Sequence, residues 1–204
     1  MGLVYEVEQD FQAMLVDAVV SDDRQALSQA VTHLTGLGHR AIAHVDGGDV
    51  STLSARRRQA YEAAMANEGL GDLRRVVRGG STLAAGVGAA HALAALDPLP
   101  TAVVCYNDSV AAGVARTLRQ LGVAVPGDVS VVGFDDGPVA ADPTTDLTTI
   151  VQDRDLIATT AMGLLARRIA DAGVVAPGDE RVEVIPTRLT VRSSTGPARE
   201  TRPS

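Results

Sequence analysis

Short apolar runs, separated by segments with helical spacing, are the feature that most restricts how this chain can fold. The runs lie at residues 41–45, 101–106 and 130–134, and the helical patterns at residues 53–67, 81–96 and 109–121. A short apolar run rich in β-branched residues is typical of a buried parallel strand. Strands that alternate with helices predict an α/β fold, with a parallel sheet flanked by helices.

Polar side chains follow two of these strands directly. Asn107 and Asp108 come after the run at 101–106, and Asp135 and Asp136 come after the run at 130–134. In an open parallel sheet, ligands bind beyond the carboxyl ends of the strands. Carboxylate and amide groups at that edge accept hydrogen bonds from hydroxyls. The sequence therefore predicts a cleft for a small polar molecule.

The charge and the residue counts exclude several classes of protein. A net charge of −7 argues against a surface that binds nucleic-acid phosphates, because such binding needs a basic patch. The chain contains no lysine, so all of its basic side chains are arginine or histidine. This absence argues against the usual phosphate-loop NTPases, lysine Schiff-base enzymes and phospho-receivers that depend on a lysine.

Metal and catalytic chemistry find no support in the sequence either. The four histidines lack the spacing of metal ligands. Cys105 lies inside an apolar run, which predicts a buried structural thiol. The adjacent acids Asp135 and Asp136 point in different directions and have no accompanying nucleophile. We therefore expect no metal, no cofactor and no enzyme activity.

The sequence shows neither the pattern of a secretory signal nor that of a membrane span. Residue 1 is not followed by a basic segment and an apolar stretch, and no apolar run has the length that spans a bilayer. We expect a cytoplasmic protein without membrane contact. With 204 residues and 46% apolar content, it is large enough for one big domain or two lobes.

Eight segments, in this order along the chain, resemble the effector-binding core of the lactose-repressor/galactose-repressor (LacI/GalR) family of bacterial transcription regulators. They are residues 22–23, 33–43, 57–61, 100–103, 107–113 (NDSVAAG), 125–136 (VPGDVSVVGFDD), 147–152 and 189–195. Each segment alone is a weak signal. Their common order over about residues 20–195 makes the resemblance specific.

The resemblance implies a periplasmic-binding-protein-like fold of type I, with an effector held between two lobes. It assigns residues 21–148 and 181–195 to a nearly complete C-terminal lobe. Residues 1–20 and 149–180 would be a remnant of the N-terminal lobe, and residues 196–204 a frayed tail. Family members read operator DNA as dimers through an N-terminal helix-turn-helix. By this mapping the chain lacks that headpiece, because residue 1 falls late in the first lobe.

The resemblance also implies that four residues bind the effector: Arg57, Asn107, Asp135 and Gln152. A guanidinium offers a planar fork of donors. An amide both donates and accepts, as a sugar hydroxyl does, and a carboxylate accepts from two adjacent hydroxyls. Asp135 is the strongest of the four candidates, because family members use the same strand-end position.

Three of these residues have a structural alternative. Arg57 could be a solvated charge on a helix, since arginines flank it on both sides. Asn107 could cap the helix that follows it, although we expect Asp108 to provide that cap. Asp135 could form a turn, a role that we expect for Asp136.

Two departures from the family pattern concern the opposite side of the site. Family members often carry an aromatic ring where this chain has Gly80 and Ser81, and another where it has Arg154. Either the effector differs from a typical hexose or the pocket has lost its function.

The helix expected at residues 153–172 carries an apolar stripe. In the family this stripe packs against strands that the chain lacks by this mapping, so here it would be exposed to water. Such exposure would cost roughly 1.5–3 kcal/mol for each large side chain.

The sequence thus predicts the effector-sensing core of a repressor-like regulator that forms a homodimer. The effector would be a sugar or a related polar metabolite, and DNA would be bound only through a headpiece. The alternative is a solute-binding protein of a sugar transporter, which has the same fold. An α/β enzyme is disfavoured because a catalytic constellation is missing.

Overall fold

The computed structural model describes residues 16–48, 52–170 and 180–199. The strands are β1 Ala18–Ser21, β2 Ile42–Val45, β3 Arg75–Val77, β4 Ala102–Cys105, β5 Ser130–Asp135, β6 Thr148–Gln152, β7 Val182–Ile185 and β8 Thr187–Thr190. The α-helices are α1 Asp23–Gly36, α2 Thr52–Asn67, α3 Leu83–Ala94, α4 Asp108–Gln120, α5 Pro138–Ala141 and α6 Arg154–Ala170. A 3-10 turn at Gly71–Leu73 precedes β3.

The larger of two compact units contains a six-stranded sheet in the order β3-β2-β4-β5-β6-β8. The pairs β2–β3, β2–β4, β4–β5 and β5–β6 are all parallel. Neighbouring residues of a strand point to opposite sides of the sheet, and helices cover both sides. Val103 packs with α3 and α4, whereas Val104 packs with α1 and α2. The predicted α/β fold with a parallel, helix-flanked sheet is confirmed.

The chain divides into two compact units. The smaller unit comprises Met1–Asp22 and Asp153–Thr187, and the larger unit comprises Asp23–Gln152 and Arg188–Ser204. The larger unit extends to Gln152, because β6 pairs with β5 as far as Val151. The chain rejoins the larger unit only after Thr187, because β7 pairs with β1 in a separate two-stranded sheet.

The residues from 196 to 199 pack on the larger unit, where the sequence predicted a frayed tail. The amide of Ala198 donates to the carbonyl of Leu37 at 2.8 Å. The Gly196 amide donates to Ser130 Oγ at 3.1 Å, and the Gly196 carbonyl lies 3.0 Å from His39 Nε2. These bonds tie the segment to the amino-terminal edge of the sheet. Residues 200–204 lie outside the described part.

In the residues that the structure describes, the smaller unit contains the parallel pair β1–β7 and helix α6. Arg168 on α6 forms two hydrogen bonds of 2.7 Å with the Asp17 carboxylate. The hydrogen bonds from Arg168 lower the pKa of Asp17 to about 2. Of the predicted apolar stripe, Leu164 is buried, whereas Leu165 and Ile169 are exposed.

The segment before residue 16 lies outside the described part of this unit. Among the described residues, no helix combines the length and the apolar character that crossing a bilayer requires.

Candidate functional site

The carboxyl ends of the parallel strands meet at one edge of the larger unit's sheet, which is where the sequence predicted the site. Asp135 is the last residue of β5, and Gln152 is the last residue of β6. Asn107 follows β4 after one residue. Arg57 reaches the same edge from helix α2.

Arg57 is buried rather than solvated. On α2 it shares a face with Ala60, Tyr61 and Ala64, which are spaced by three and four residues and are all buried. Arg57 Nη1 donates to the carbonyl of Tyr106 at 2.6 Å. The solvated charge on this helix is instead Arg58, whose side chain is 52% exposed.

Two further groups hold the Arg57 guanidinium in place. Arg57 Nε donates to Asp23 Oδ1 at 3.2 Å, and both side chains are almost fully buried. The guanidinium carbon lies 3.5 Å from the ring centroid of Phe134, which is the distance of a cation–π contact. Asp23 also pairs with Arg56 Nη2, 3.2 Å from its Oδ2. This arrangement fixes the direction in which Arg57 presents its remaining nitrogen.

Asp135 receives that nitrogen and remains partly open to solvent. Arg57 Nη2 lies 3.8 Å from Asp135 Oδ1, and Gln152 Nε2 donates a hydrogen bond to the same oxygen. The Asp135 side chain is 31% exposed. Its backbone has φ 109°, a left-handed conformation that costs free energy in a non-glycine residue. Asp135 therefore contacts two of the other three predicted residues, Arg57 and Gln152.

Asp136 has the structural role that the sequence predicted. Its backbone is also left-handed, with φ 51°. Arg192 Nη2 donates to Asp136 Oδ1 at 2.7 Å, which fastens the turn to the chain that follows β8. The two adjacent carboxylates thus have different partners.

Asn107 forms hydrogen bonds within the protein and caps the helix that follows it. Its Oδ1 accepts from the amide of Val110 at 2.9 Å, so it is the N-cap of α4. Its Nδ2 donates to the carbonyl of Ser81 at 3.0 Å. The expectation that Asp108 provides the cap is wrong, because the chain enters the helix one residue earlier.

Asp108 is instead a buried acceptor beneath the turn that follows β5. Its Oδ2 accepts from the amide of Gly137 at 2.7 Å, and its Oδ1 accepts from the hydroxyl of Thr149 at 2.5 Å. Burial raises the pKa of Asp108 to about 6, and the charges of Asp135 and Asp136 act in the same direction. The two hydrogen bonds oppose the increase.

Tyr106 belongs to the site, although the sequence reading missed it. Its ring packs against Gly47, where an added Cβ would lie 2.7 Å from the nearest ring atom. The guanidinium carbon of Arg57 is 4.9 Å from the ring centroid. Tyr106 is half-buried, whereas Tyr61 and Phe134 are fully buried. Its place directly after β4 was the available signal.

The other titratable candidates, His44 and Cys105, are buried in the interior of the protein. His44 is buried, its Nδ1 lies 2.9 Å from the carbonyl of Val104, and its ring stacks on Tyr61. Burial lowers the pKa of His44 to about 4 and raises the pKa of the buried Cys105 thiol. Within the described residues, no group of histidine, cysteine or acidic side chains has the arrangement of a metal site.

The fold and the edge site define a ligand-binding domain, and comparisons with known proteins agree. A family described as a periplasmic binding protein-like domain matches residues 31–195. The regulator reg1 of Streptomyces lividans is 36% identical over 214 residues, which cover 97% of this chain and 57% of that protein.

Solved structures give the same result. A LacI transcriptional regulator from a Rhodococcus species is 42% identical, with a TM-score of 0.82 over 89% of this chain and 65% of that one. The regulator CelR in complex with cellobiose is 31% identical, with a TM-score of 0.78 over 88% of this chain and 54% of that one. The chain belongs to the LacI family of transcriptional regulators. It spans about half the length of the curated relatives it matches.

Proposed function

We propose that this chain is the effector-sensing core of a transcriptional repressor and that its effector is a sugar or a similar polar molecule. The observation that carries the proposal is the Asp135 carboxylate at the open edge of the sheet. Arg57 braces it from the interior and Gln152 braces it from β6. A left-handed backbone is retained at this residue despite its cost, which is typical of functional positions.

The braced carboxylate suits a ligand with neighbouring hydroxyl groups. Asp135 is partly exposed and can accept from two hydroxyls, because each carboxylate oxygen has more than one acceptor position. The half-buried ring of Tyr106 offers an apolar surface for the carbon face of a sugar. CelR, a relative in the same family, was solved with cellobiose.

DNA binding and dimerisation are part of the same proposal. The net charge of −7 argues against DNA binding by this chain, so we assign DNA contact to the portion of the relatives that it does not match. The effector would shift the populations of the regulator's conformations and would thereby change its affinity for the operator. A homodimer acting in the cytoplasm is the form we expect.

The two alternatives have less support. A solute-binding protein of a transporter shares the fold, but the relatives described above are transcription regulators. An enzyme would need a nucleophile or a free acid–base pair at the site. Asp135 and Asp136 are instead held by separate cationic or amide partners. We therefore propose a non-enzymatic binding domain.

Calorimetric titration tests the proposal with a panel of cellobiose, ribose and nucleobases. We expect one member to bind the wild-type chain, and Asp135→Asn to weaken that binding by more than tenfold, because a hydrogen bond to a charged acceptor contributes about 1.5–3 kcal/mol. Asp128→Asn is the matched control, since Asp128 precedes the amino end of β5 and pairs with Arg199. The proposal fails if no panel member binds, or if the Asp135 variant binds as tightly as the control.

A further inference from the structure

Asp108 connects three neighbouring strands, β4, β5 and β6, of the sheet whose edge carries the proposed effector site. It is the first residue of α4, directly after the Asn107 cap that follows β4. Through Thr149 it contacts β6, and through Gly137 it contacts the turn after β5. Only 3% of its surface is exposed. The carboxylate is thus in no position to meet solvent or a ligand itself.

The carboxylate is closely packed against β5. A Cβ added to Gly133 on β5 would lie 2.3 Å from Asp108 Oδ1 and 2.7 Å from Leu147 Cδ2. The chain therefore has glycine where the carboxylate crosses β5. Both carboxylate oxygens already accept a hydrogen bond, and each donor comes from a different element.

The turn that Asp108 holds is the one that aims Asp135. Asp135 and Asp136 both have left-handed backbones, and the next amide, that of Gly137, donates to Asp108 Oδ2 at 2.7 Å. Two consecutive left-handed non-glycine residues persist only where the surroundings hold them in place. The bond between Gly137 and Asp108 is a charge-assisted restraint of this kind.

We propose that Asp108 is a positioning residue for the effector site: its ionised carboxylate holds the turn at residues 135–137, so that protonation of Asp108 weakens effector binding. This inference rests on the proposed function, because it assigns to Asp108 the orientation of the effector-binding Asp135. Asp108 itself touches no ligand.

The charged groups around Asp108 determine the pH range of the effect. Asp135 and Asp136 face it from the turn and disfavour its ionised form. Arg57 offsets the first of these charges at 3.8 Å, and Arg192 offsets the second at 2.7 Å. The pKa of Asp108 is raised to about 6 mainly by burial. The ionised carboxylate therefore holds the turn fully at pH 7.5, and this restraint is largely lost at pH 5.

Asp108→Asn mimics the protonated residue without changing its size. The amide oxygen can still accept from Gly137, but without the charge that strengthens the bond. The amide nitrogen can donate to Thr149 Oγ1, which then turns its own proton towards the carbonyl of Ile150, 3.5 Å away. The variant should fold and should behave at every pH as the wild-type chain does at pH 5.

The first measurement needs no effector. In the ¹⁵N–¹H spectrum of the 204-residue chain, the Gly137 amide should shift between pH 5 and 7.5 with a midpoint near 6. In Asp108→Asn this shift should vanish, and in Asp128→Asn it should remain. Thr149→Val removes a bond that favours the ionised form, so it should raise the midpoint. An unchanged Gly137 titration in Asp108→Asn would overturn the proposal, whatever ligand the chain binds.

The second measurement uses whichever of cellobiose, ribose or the nucleobases binds the wild-type chain. Its affinity should fall about fivefold from pH 7.5 to 5, the equivalent of weakening one hydrogen bond. The affinity of Asp108→Asn should equal the low-pH wild-type value throughout. A wild-type affinity that is independent of pH, or a parallel pH profile in Asp108→Asn, would refute the effect on binding. If no panel member binds, the effector proposal fails, while the Gly137 titration still decides the role of Asp108 in the turn.

Discussion

Arg57 and Arg58 are adjacent on helix α2 and have opposite surroundings, so replacing each with methionine separates the contribution of a buried charge from that of an exposed one. Arg57 is buried and bonded to Asp23 and to the Tyr106 carbonyl. Arg58 is 52% exposed and pairs with Glu62 four residues later. Methionine has a similar length, good helix propensity and no charge. We expect Arg57→Met to destabilise the larger unit by about 3 kcal/mol, which is the sum of two losses minus the gain from burying methionine.

The contacts of Arg57 provide this magnitude. Breaking a buried ion pair by removing one partner typically costs about 3–5 kcal/mol, because the other charge is left without compensation. Here Arg56 stays 3.2 Å from Asp23 Oδ2, so the cost lies towards the lower end. The bond to the Tyr106 carbonyl adds about 1.5–3 kcal/mol as a charged hydrogen bond. The apolar burial of methionine, at about 25 cal/mol per Å², offsets part of that sum.

Urea unfolding followed by far-UV circular dichroism measures the difference, since the chain has no tryptophan to serve as a fluorescence probe. Arg58→Met should stay within about 0.5 kcal/mol of wild type, as exposed ion pairs contribute little. Asp23→Asn combined with Arg57→Met should recover part of the loss, because the uncompensated charge is then removed. If the two single arginine variants unfold at the same urea concentration, the account of Arg57 as a buried brace is wrong.

Two further predictions concern close packing and pH. Gly133→Ala should destabilise the chain by about 1–3 kcal/mol or more, because its Cβ would lie 2.3 Å from Asp108 Oδ1. Gly88→Ala on α3 has open space and should gain about 0.5–1 kcal/mol, so equal effects on urea unfolding would contradict the argument. Arg168→Met should return the carboxyl titration of Asp17, followed by NMR, from about 2 towards 3.8. Since the pKa is lowered in the fold, the stabilisation is complete above pH 3.8 and is lost as the pH falls to about 2. The neighbouring Arg167→Met should leave the midpoint in place, and an equal shift there would refute the pairing.

Particular residues mark how far the candidate site could be predicted. The burial of Arg57 was available from helical spacing, because Ala60, Tyr61 and Ala64 form one face with it. That spacing could not supply Asp23, which lies 34 residues earlier in the chain. The choice between Asn107 and the next residue as helix cap was not available either, since both are good caps and only the path of the chain separates them.

The sequence by itself determined the parallel α/β sheet and the edge at which polar groups collect, because apolar periodicity and strand-end residues are local properties of the chain. Tertiary structure decided which of those groups meet. Arg57 reaches Asp135 only because β4 and β5 are neighbours in the sheet and α2 packs on that face. The same strand order places Asp108 beneath the turn at Gly137. Contacts between residues this far apart follow from strand order and helix phase, which arise only once the whole unit has packed.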